Sequence, residues 1–166
     1  VGQAYSYPFT LGRTYKIASG ELDLGDPDTV ANEQERLRTK WHDVTGALTV
    51  EIALKLNELP VPPEGEWKYI VPISKGWAAD SGGSWTLAIR DTGEGYFMVR
   101  KPDNSGWINN ADAFGPIPLN ERVYIACVFA PNDHITVYTY CPSQGFRKTS
   151  SSAAGVSGSY RSEYMG

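Results

Sequence analysis

Residues 47–56 read ALTVEIALKL, and every even position in that stretch, Leu48, Val50, Ile52, Leu54 and Leu56, is apolar, while the odd ones include Thr49, Glu51 and Lys55. Side chains alternate faces along a strand, so five apolar residues at period two cover a core on one side and leave Glu51 and Lys55 in water. The stretch predicts a half-buried β-strand. The pattern recurs in SWTLAIR (84–90), with Trp85, Leu87 and Ile89 on one face, in GYFMVRK (95–101), with Phe97 and Val99, and again in VYIACVFA (123–130) and HITVYTY (134–140). WKYIVPISKGW (67–77) places Trp67, Tyr69, Val71 and Ile73 on a further alternating face, and Pro72 marks an edge strand or a bulge. ADSGGS, DTGEG and PDNSGW supply the Asp, Asn, Ser and Gly of tight turns between strands. The expected fold is all-β, an antiparallel β-sandwich.

A chain of 166 residues fits one domain, long enough to bury roughly 70% of its unfolded surface without staples. Its net charge is -4 and its Lys and Arg residues are scattered, the longest cluster being Arg36, Arg38 and Lys40, which excludes a nucleic-acid footprint. No run approaches the roughly 18 apolar residues that span a bilayer, so membrane insertion is not expected. The chain starts at Val1 with neither Met nor a signal-peptide pattern, as a mature form or a piece of a longer protein would. Residues 1–13 read as an aromatic N-terminal arm, 14–148 as the sandwich, and 149–166 as a C-terminal tail in which TSSSAAGVSG (149–158) has linker composition. Asp26 and Pro27 read as a helix N-cap and first-turn proline ahead of TVANEQERLRTK (29–40), one short surface helix with a thin apolar stripe of Val30, Ala31 and Leu37. Cys127 and Cys141 fall on a hairpin turning near Pro131, Asn132 and Asp133. With Ala130 facing Ile135, residue 127 lies opposite 138, so a bridge to 141 needs a strand slip and free thiols are expected. Two such cysteines leave the redox compartment open.

GELDLGD (20–26) is similar to the carboxylate strand of retaining laminarinase-type endoglucanases, with Glu21, Asp23 and Asp26 in the acidic places. Only 20 residues precede it and the third acid is the shorter Asp, so the preferred reading sends Leu22 and Leu24 to the core and the acids to solvent. No catalytic residues, and no enzyme, are expected. His42 and His134 are the only imidazoles and both sit beside turns. Zinc-type ligand spacing and Gly-rich phosphate loops are missing from the sequence. Calcium is the one cofactor suggested: loop carboxylates at Asp80, Asp103 and Asp112 are candidate ligands, although turn formation explains them as well and no EF-hand spacing is present. Aromatic placement is the remaining signal, because sugars stack on flat rings. Trp77 and Trp107 stand in turns beside Gly76 and Gly106, and Tyr96, Tyr138 and Tyr140 alternate out of phase with the inward set. These residues either meet a glycan or form a second buried face beneath a terminal arm.

The order of these pieces from about Gly20 to Arg147 resembles the concanavalin A-like, laminin-G-type jelly roll. The resemblance rests on VTGALTVEIALKL (44–56), PISKG (72–76), SWTLAIRDTGEGYFMVR (84–100) and PLNERVYIACVF (118–129). The closing ITVYTYCPSQGFRK (135–148) is closer to laminin-G-like domains in phage tail proteins. The resemblance implies a non-catalytic binding module on an extracellular or virion protein, with Lys75, Trp77, Asp80, Asp103 and Trp107 at its loop rim. The resulting expectation is recognition of a carbohydrate or another host-surface ligand through rim loops and exposed aromatics. The alternative is a structural virion protein, a phage tail or capsid-decoration component, that assembles with other copies or virion proteins through its terminal arms.

Overall fold

The computed structural model describes residues 10–11, 16–18, 21–23, 37–38, 46–62, 69–75, 83–109 and 114–159. Four short strands come first: β1 (Thr10–Leu11) pairs with β4 (Leu37–Arg38), and β2 (Lys16–Ala18) pairs with β3 (Glu21–Asp23). The remaining strands are β5 (Leu48–Lys55), β6 (Tyr69–Lys75), β7 (Trp85–Arg90), β8 (Gly95–Arg100), β9 (Trp107–Asn109), β10 (Arg122–Ala130), β11 (His134–Cys141) and β12 (Gly145–Ser152). They form two antiparallel four-stranded sheets, ordered β12-β11-β10-β5 and β6-β7-β8-β9. The chain leaves the first sheet after β5, builds the whole second sheet, and returns to lay β10 beside β5. The all-β expectation and the sandwich-like arrangement hold.

The two sheets share one apolar cluster. β7 and β8 contribute Trp85, Leu87, Ile89, Phe97 and Val99; β5, β10 and β11 contribute Val50, Val123, Ile125, Cys127, Phe129, Ile135 and Val137. In β10 burial alternates strictly, the odd residues Val123 to Phe129 being sealed while Tyr124 is exposed. β5 sits at the sheet edge, so only Val50 is fully covered, and Leu48, Ile52 and Leu54 pack half-buried against the same cluster. That is the half-buried strand its period-two pattern predicts. In β7 both faces are covered, because Thr86 and Ala88 are as buried as Leu87 and Ile89.

Four sequence expectations change. Of the segment read as a surface helix, Leu37 and Arg38 are strand and the rest lies outside the described residues; no helix occurs among the described residues. Backbone pairing with Thr10 and Leu11 outweighs helix propensity where the apolar stripe is thin. In β6 the single alternating face breaks. The register shifts between Ile70 and Ile73, and those two residues, one even and one odd, both pack on the core. Pro72 cannot donate to the ladder, and the irregularity around it reverses the parity. In the β10–β11 hairpin Ala130 faces His134, not Ile135, so Cys127 faces Val137. Cys141 is four positions further along β11, roughly 13 Å away at strand rise, and both cysteines are free and buried. Finally, Thr149 to Ser152 are not linker but the end of β12, and the chain beyond them is tied down. Ala153 and Val156 join the core; the Ala153 N–H donates to the Asp133 carbonyl at 3.0 Å, the Asn132 N–H to the Val156 carbonyl at 2.9 Å, and the Ser84 hydroxyl to that of Ser159 at 3.2 Å.

Gly95 starts β8 with the Phe114 ring against its α-carbon, where an added methyl would overlap the ring. Gly95→Ala is expected to cost about 1–3 kcal/mol, read as a lowered urea midpoint with an unchanged slope. Burial pushes the Cys127 thiol from its ordinary 9.0 up to about 12. Native protein should therefore leave Cys127 unmodified by thiol reagents at neutral pH and expose it in urea. Because the folded value is raised, this thiol's share of stability is intact below pH 9.0 and drains away toward pH 12, a loss that Cys127→Ala should not show.

Candidate functional site

The positions that alternate with the core set on β5, β10, β11 and β12 make up the outer face of the first sheet. The register arranges them in rows across the strands. Ala53, Tyr124, Tyr140 and Phe146 form one row; Glu51, Ala126, Tyr138 and Lys148 form the next. Three of these aromatics are well exposed, Tyr124 at 49%, Tyr140 at 48% and Phe146 at 68%, and they lie side by side as a patch instead of singly.

The rings are organised. Tyr124 and Tyr140 face each other across the ladder with centroids 6.5 Å apart and planes at 36°. Tyr138 and Phe146 are diagonal neighbours at 6.0 Å and 30°. The Lys148 ammonium stands 5.6 Å from the centre of the Tyr138 ring, within cation–π range. Small residues complete the shape: Ala53 and Ala126 leave a shallow trough of about 390 Å³ bounded by Tyr124, Tyr138, Tyr140, Phe146 and the Glu51 side. Open ring faces beside phenol hydroxyls and a carboxylate match what a sugar offers, an apolar C–H face ringed by hydroxyls.

The sequence-predicted residues disperse. Tyr138 and Tyr140 belong to this face. Trp107, in β9, lies on the other sheet with the Arg100 guanidinium 5.2 Å over its ring, and Arg100 also donates from Nε to Asn104 Oδ1 at 2.7 Å. Tyr96, in β8, likewise belongs to that sheet and hydrogen-bonds Arg90, which raises the guanidinium pKa. Lys75 ends β6 and is buried, so it is no open rim residue. Trp77, Asp80 and Asp112 lie outside the described residues. Asp103 accepts the Ser105 N–H at 2.9 Å, and its hydrogen bonds to Ser105 lower its pKa; that is the behaviour of a turn carboxylate. Among the described residues no three of His, Cys, Asp and Glu gather as a metal site. His134 pairs through Nδ1 with Asp133 Oδ2 at 2.9 Å. Glu21 and Asp23 lie in β3, where only the backbone pairing with Ala18 and Lys16 is described. No described helix is long and apolar enough to cross a membrane.

A second hollow, about 350 Å³, opens at the sandwich edge beside Phe114, Val137 and Thr139. It is spanned by packing contacts: Arg147 donates to the Gly115 carbonyl at 3.0 Å and Gln144 to the Pro116 carbonyl at 3.0 Å. These bonds hold the 114–117 loop to the β11–β12 turn and to β12.

Sequence reading missed Tyr124, Phe146, Lys148 and the alanine floor. Tyr124 carried a usable signal, being out of phase with Val123 and Ile125 in the same strand as the small Ala126. Phe146 carried none, since it is an isolated apolar residue in the otherwise polar end of the closing segment 135–148. No protein-family model, no curated protein and no solved structure matches the chain.

The half-buried Tyr138, with ring contacts to Phe146 and Lys148, should matter more to stability than the exposed Tyr140. Tyr138→Ala is expected to lose about 1–2 kcal/mol and Tyr140→Ala no more than about 0.5 kcal/mol in urea unfolding.

Proposed function

We propose that this chain is a non-catalytic binding module that holds a carbohydrate against the aromatic outer face of its first sheet. The observation that carries the reading is the cluster of Tyr124, Tyr138, Tyr140 and Phe146, ordered in two ring pairs and left open to solvent. Exposing that much aromatic surface gives up burial free energy that the core would otherwise gain, and stacking a sugar's apolar face on it recovers part of that. We take the framework to be a jelly roll of the concanavalin A-like, laminin-G type, in a protein acting outside the cell or on a virion. The long excursion from β5 through the second sheet and back to β10, its sheet neighbour, supports this, because such returns build Greek-key connections. The binding surface in this reading is a sheet face, not the loop rim.

Affinity electrophoresis through gels containing soluble polysaccharides tests it. Wild-type protein should be retarded by at least one of them. Tyr124→Ala with Tyr140→Ala should abolish the retardation while the melting temperature stays within a few degrees of wild type, each ring being worth about tenfold in affinity. A wild type that no glycan retards, or a double variant as retarded as wild type, would refute the reading.

A further inference from the structure

The odd residues of β12 face the same way as the buried odd residues of β11, Arg147 standing opposite Thr139 and Thr149 opposite Val137. Arg147, Thr149 and Ser151 are nevertheless polar, and two of them reach across the edge of the sandwich. The Ser151 hydroxyl donates to the Asn109 carbonyl at 2.7 Å, and Arg147 Nη1 to the Gly115 carbonyl at 3.0 Å. Alongside these struts opens the hollow of about 350 Å³. Its wall is held firmly: Phe114 and Gly95 exchange backbone hydrogen bonds of 2.8 and 3.0 Å, and the Ile117 N–H donates to the Gly93 carbonyl at 2.9 Å.

The floor of the hollow is apolar, with Phe114 at 2% and Val137 at 0% exposure. Two polar side chains on its lining have capacity to spare. Thr139 is only 8% exposed, yet no hydrogen bond among the described residues engages its hydroxyl. A buried hydroxyl without a partner is costly, and an acceptor placed in the hollow removes that cost. Arg147 commits one of its five N–H donors to Gly115. Lys148 also borders the hollow, but its ammonium is drawn to the other face, over Tyr138. Around this edge Glu94, whose α-carbon lies beside Gly115, accepts from the Thr92 hydroxyl at 3.2 Å, and Glu121 accepts the Ser143 N–H at 2.8 Å; Asp112 lies outside the described residues.

We infer that the hollow is a binding site for a monocarboxylate on a compact apolar body, its carboxylate accepting from the Arg147 guanidinium and the Thr139 hydroxyl while its ring rests on Phe114 and Val137. One cation on the lining matches one negative charge, and the guanidinium fork fits the two oxygens of a carboxylate. A hollow near the lower end of small-molecule site volumes suits a single ring. A free aromatic acid and an aromatic residue at a peptide C-terminus both present this chemistry. The site lies on the inner side of β11 and β12, away from the tyrosine face, and stands independently of the carbohydrate reading.

The test is a residue-resolved NMR titration of the full chain with benzoate, benzamide, acetate and an N-acetylated peptide ending in phenylalanine, repeated on Thr139→Val and Arg147→Gln. Benzoate should shift the amides of Phe114, Val137, Thr139 and Arg147 saturably and leave those of Tyr124 and Tyr140 unmoved. Benzamide and acetate should each bind about tenfold weaker or less, the first lacking the charge and the second the ring. Thr139→Val keeps the shape and removes only the unpaired hydroxyl, so it should weaken benzoate about fivefold or more without lowering the melting temperature, a combination that a structural hydroxyl would not give. Arg147→Gln should weaken benzoate about tenfold. The tighter of benzoate and the peptide identifies the source of the carboxylate. Benzamide or acetate binding as well as benzoate, shifts centred away from the hollow, or an unchanged affinity in Thr139→Val overturns the inference.

Discussion

The structure depends on the parity of β10. This strand is the inner partner of both β5 and β11, paired with β5 from Arg122 to Phe129 and with β11 from Tyr124 to Ala130. Its odd residues, Val123, Ile125, Cys127 and Phe129, are at most 2% exposed and meet side chains from the opposite sheet. A slip of one residue would carry all four into water and turn Tyr124, Ala126 and Val128 inward. Losing four such burials costs on the order of 5–10 kcal/mol, comparable to the whole stability of a domain. The register is therefore fixed by the core, and every outward position on the first sheet is fixed with it. The aromatic platform inherits its geometry from this constraint: Tyr124 faces Tyr140 because Ile125 must face inward.

The two outer faces of the sandwich are not equivalent. On the second sheet Thr86 and Ala88 are fully buried, Trp107 already carries a guanidinium, and Tyr96 is bonded to Arg90. Its exposed rings are engaged within the protein, while the buried Thr86 hydroxyl has no hydrogen-bond partner among the described residues. On the first sheet Tyr124, Tyr140 and Phe146 keep about half or more of their surface in solvent, while Tyr138 is half-buried and Thr136 on the same face is covered. Rigid strands present these rings without a loop having to order on binding, which keeps the entropic cost of recognition low. The strapping of the chain after β12 back to the β10–β11 turn and to Ser84 closes one end of the sandwich and contributes to that rigidity.

Much of this architecture was legible in the sequence because burial on one side of a strand writes itself as alternation. ALTVEIALKL and VYIACVFA state their own buried face, and the tyrosines at 138 and 140 fall out of phase with Ile135 and Val137 as solvent-facing residues do. What stayed hidden depends on distant pairing. Tyr124, Tyr138 and Phe146 lie far apart in sequence and come onto one face only through the β10–β11–β12 order. The family resemblance puts Lys75 at the loop rim, yet it pairs with Trp85 in the β6–β7 ladder and is buried. The irregularity at Pro72 shows a local rule stopping short: proline announced an edge or a bulge, but not that Ile70 and Ile73 would both reach the core. Small polar residues from 149 onward carry no period at all, so a strand that owes its existence to β11 read as a tail.

The most direct test of the account is a residue-resolved NMR titration of the intact chain with a bound oligosaccharide. Shifts confined to the outward residues of β10, β11 and β12, with ligand protons moved upfield by ring currents from Tyr124, Tyr140 and Phe146, are the predicted result. Shifts centred on the Asp103 to Trp107 turn and the opposite sheet, with the tyrosine face unmoved, would contradict it.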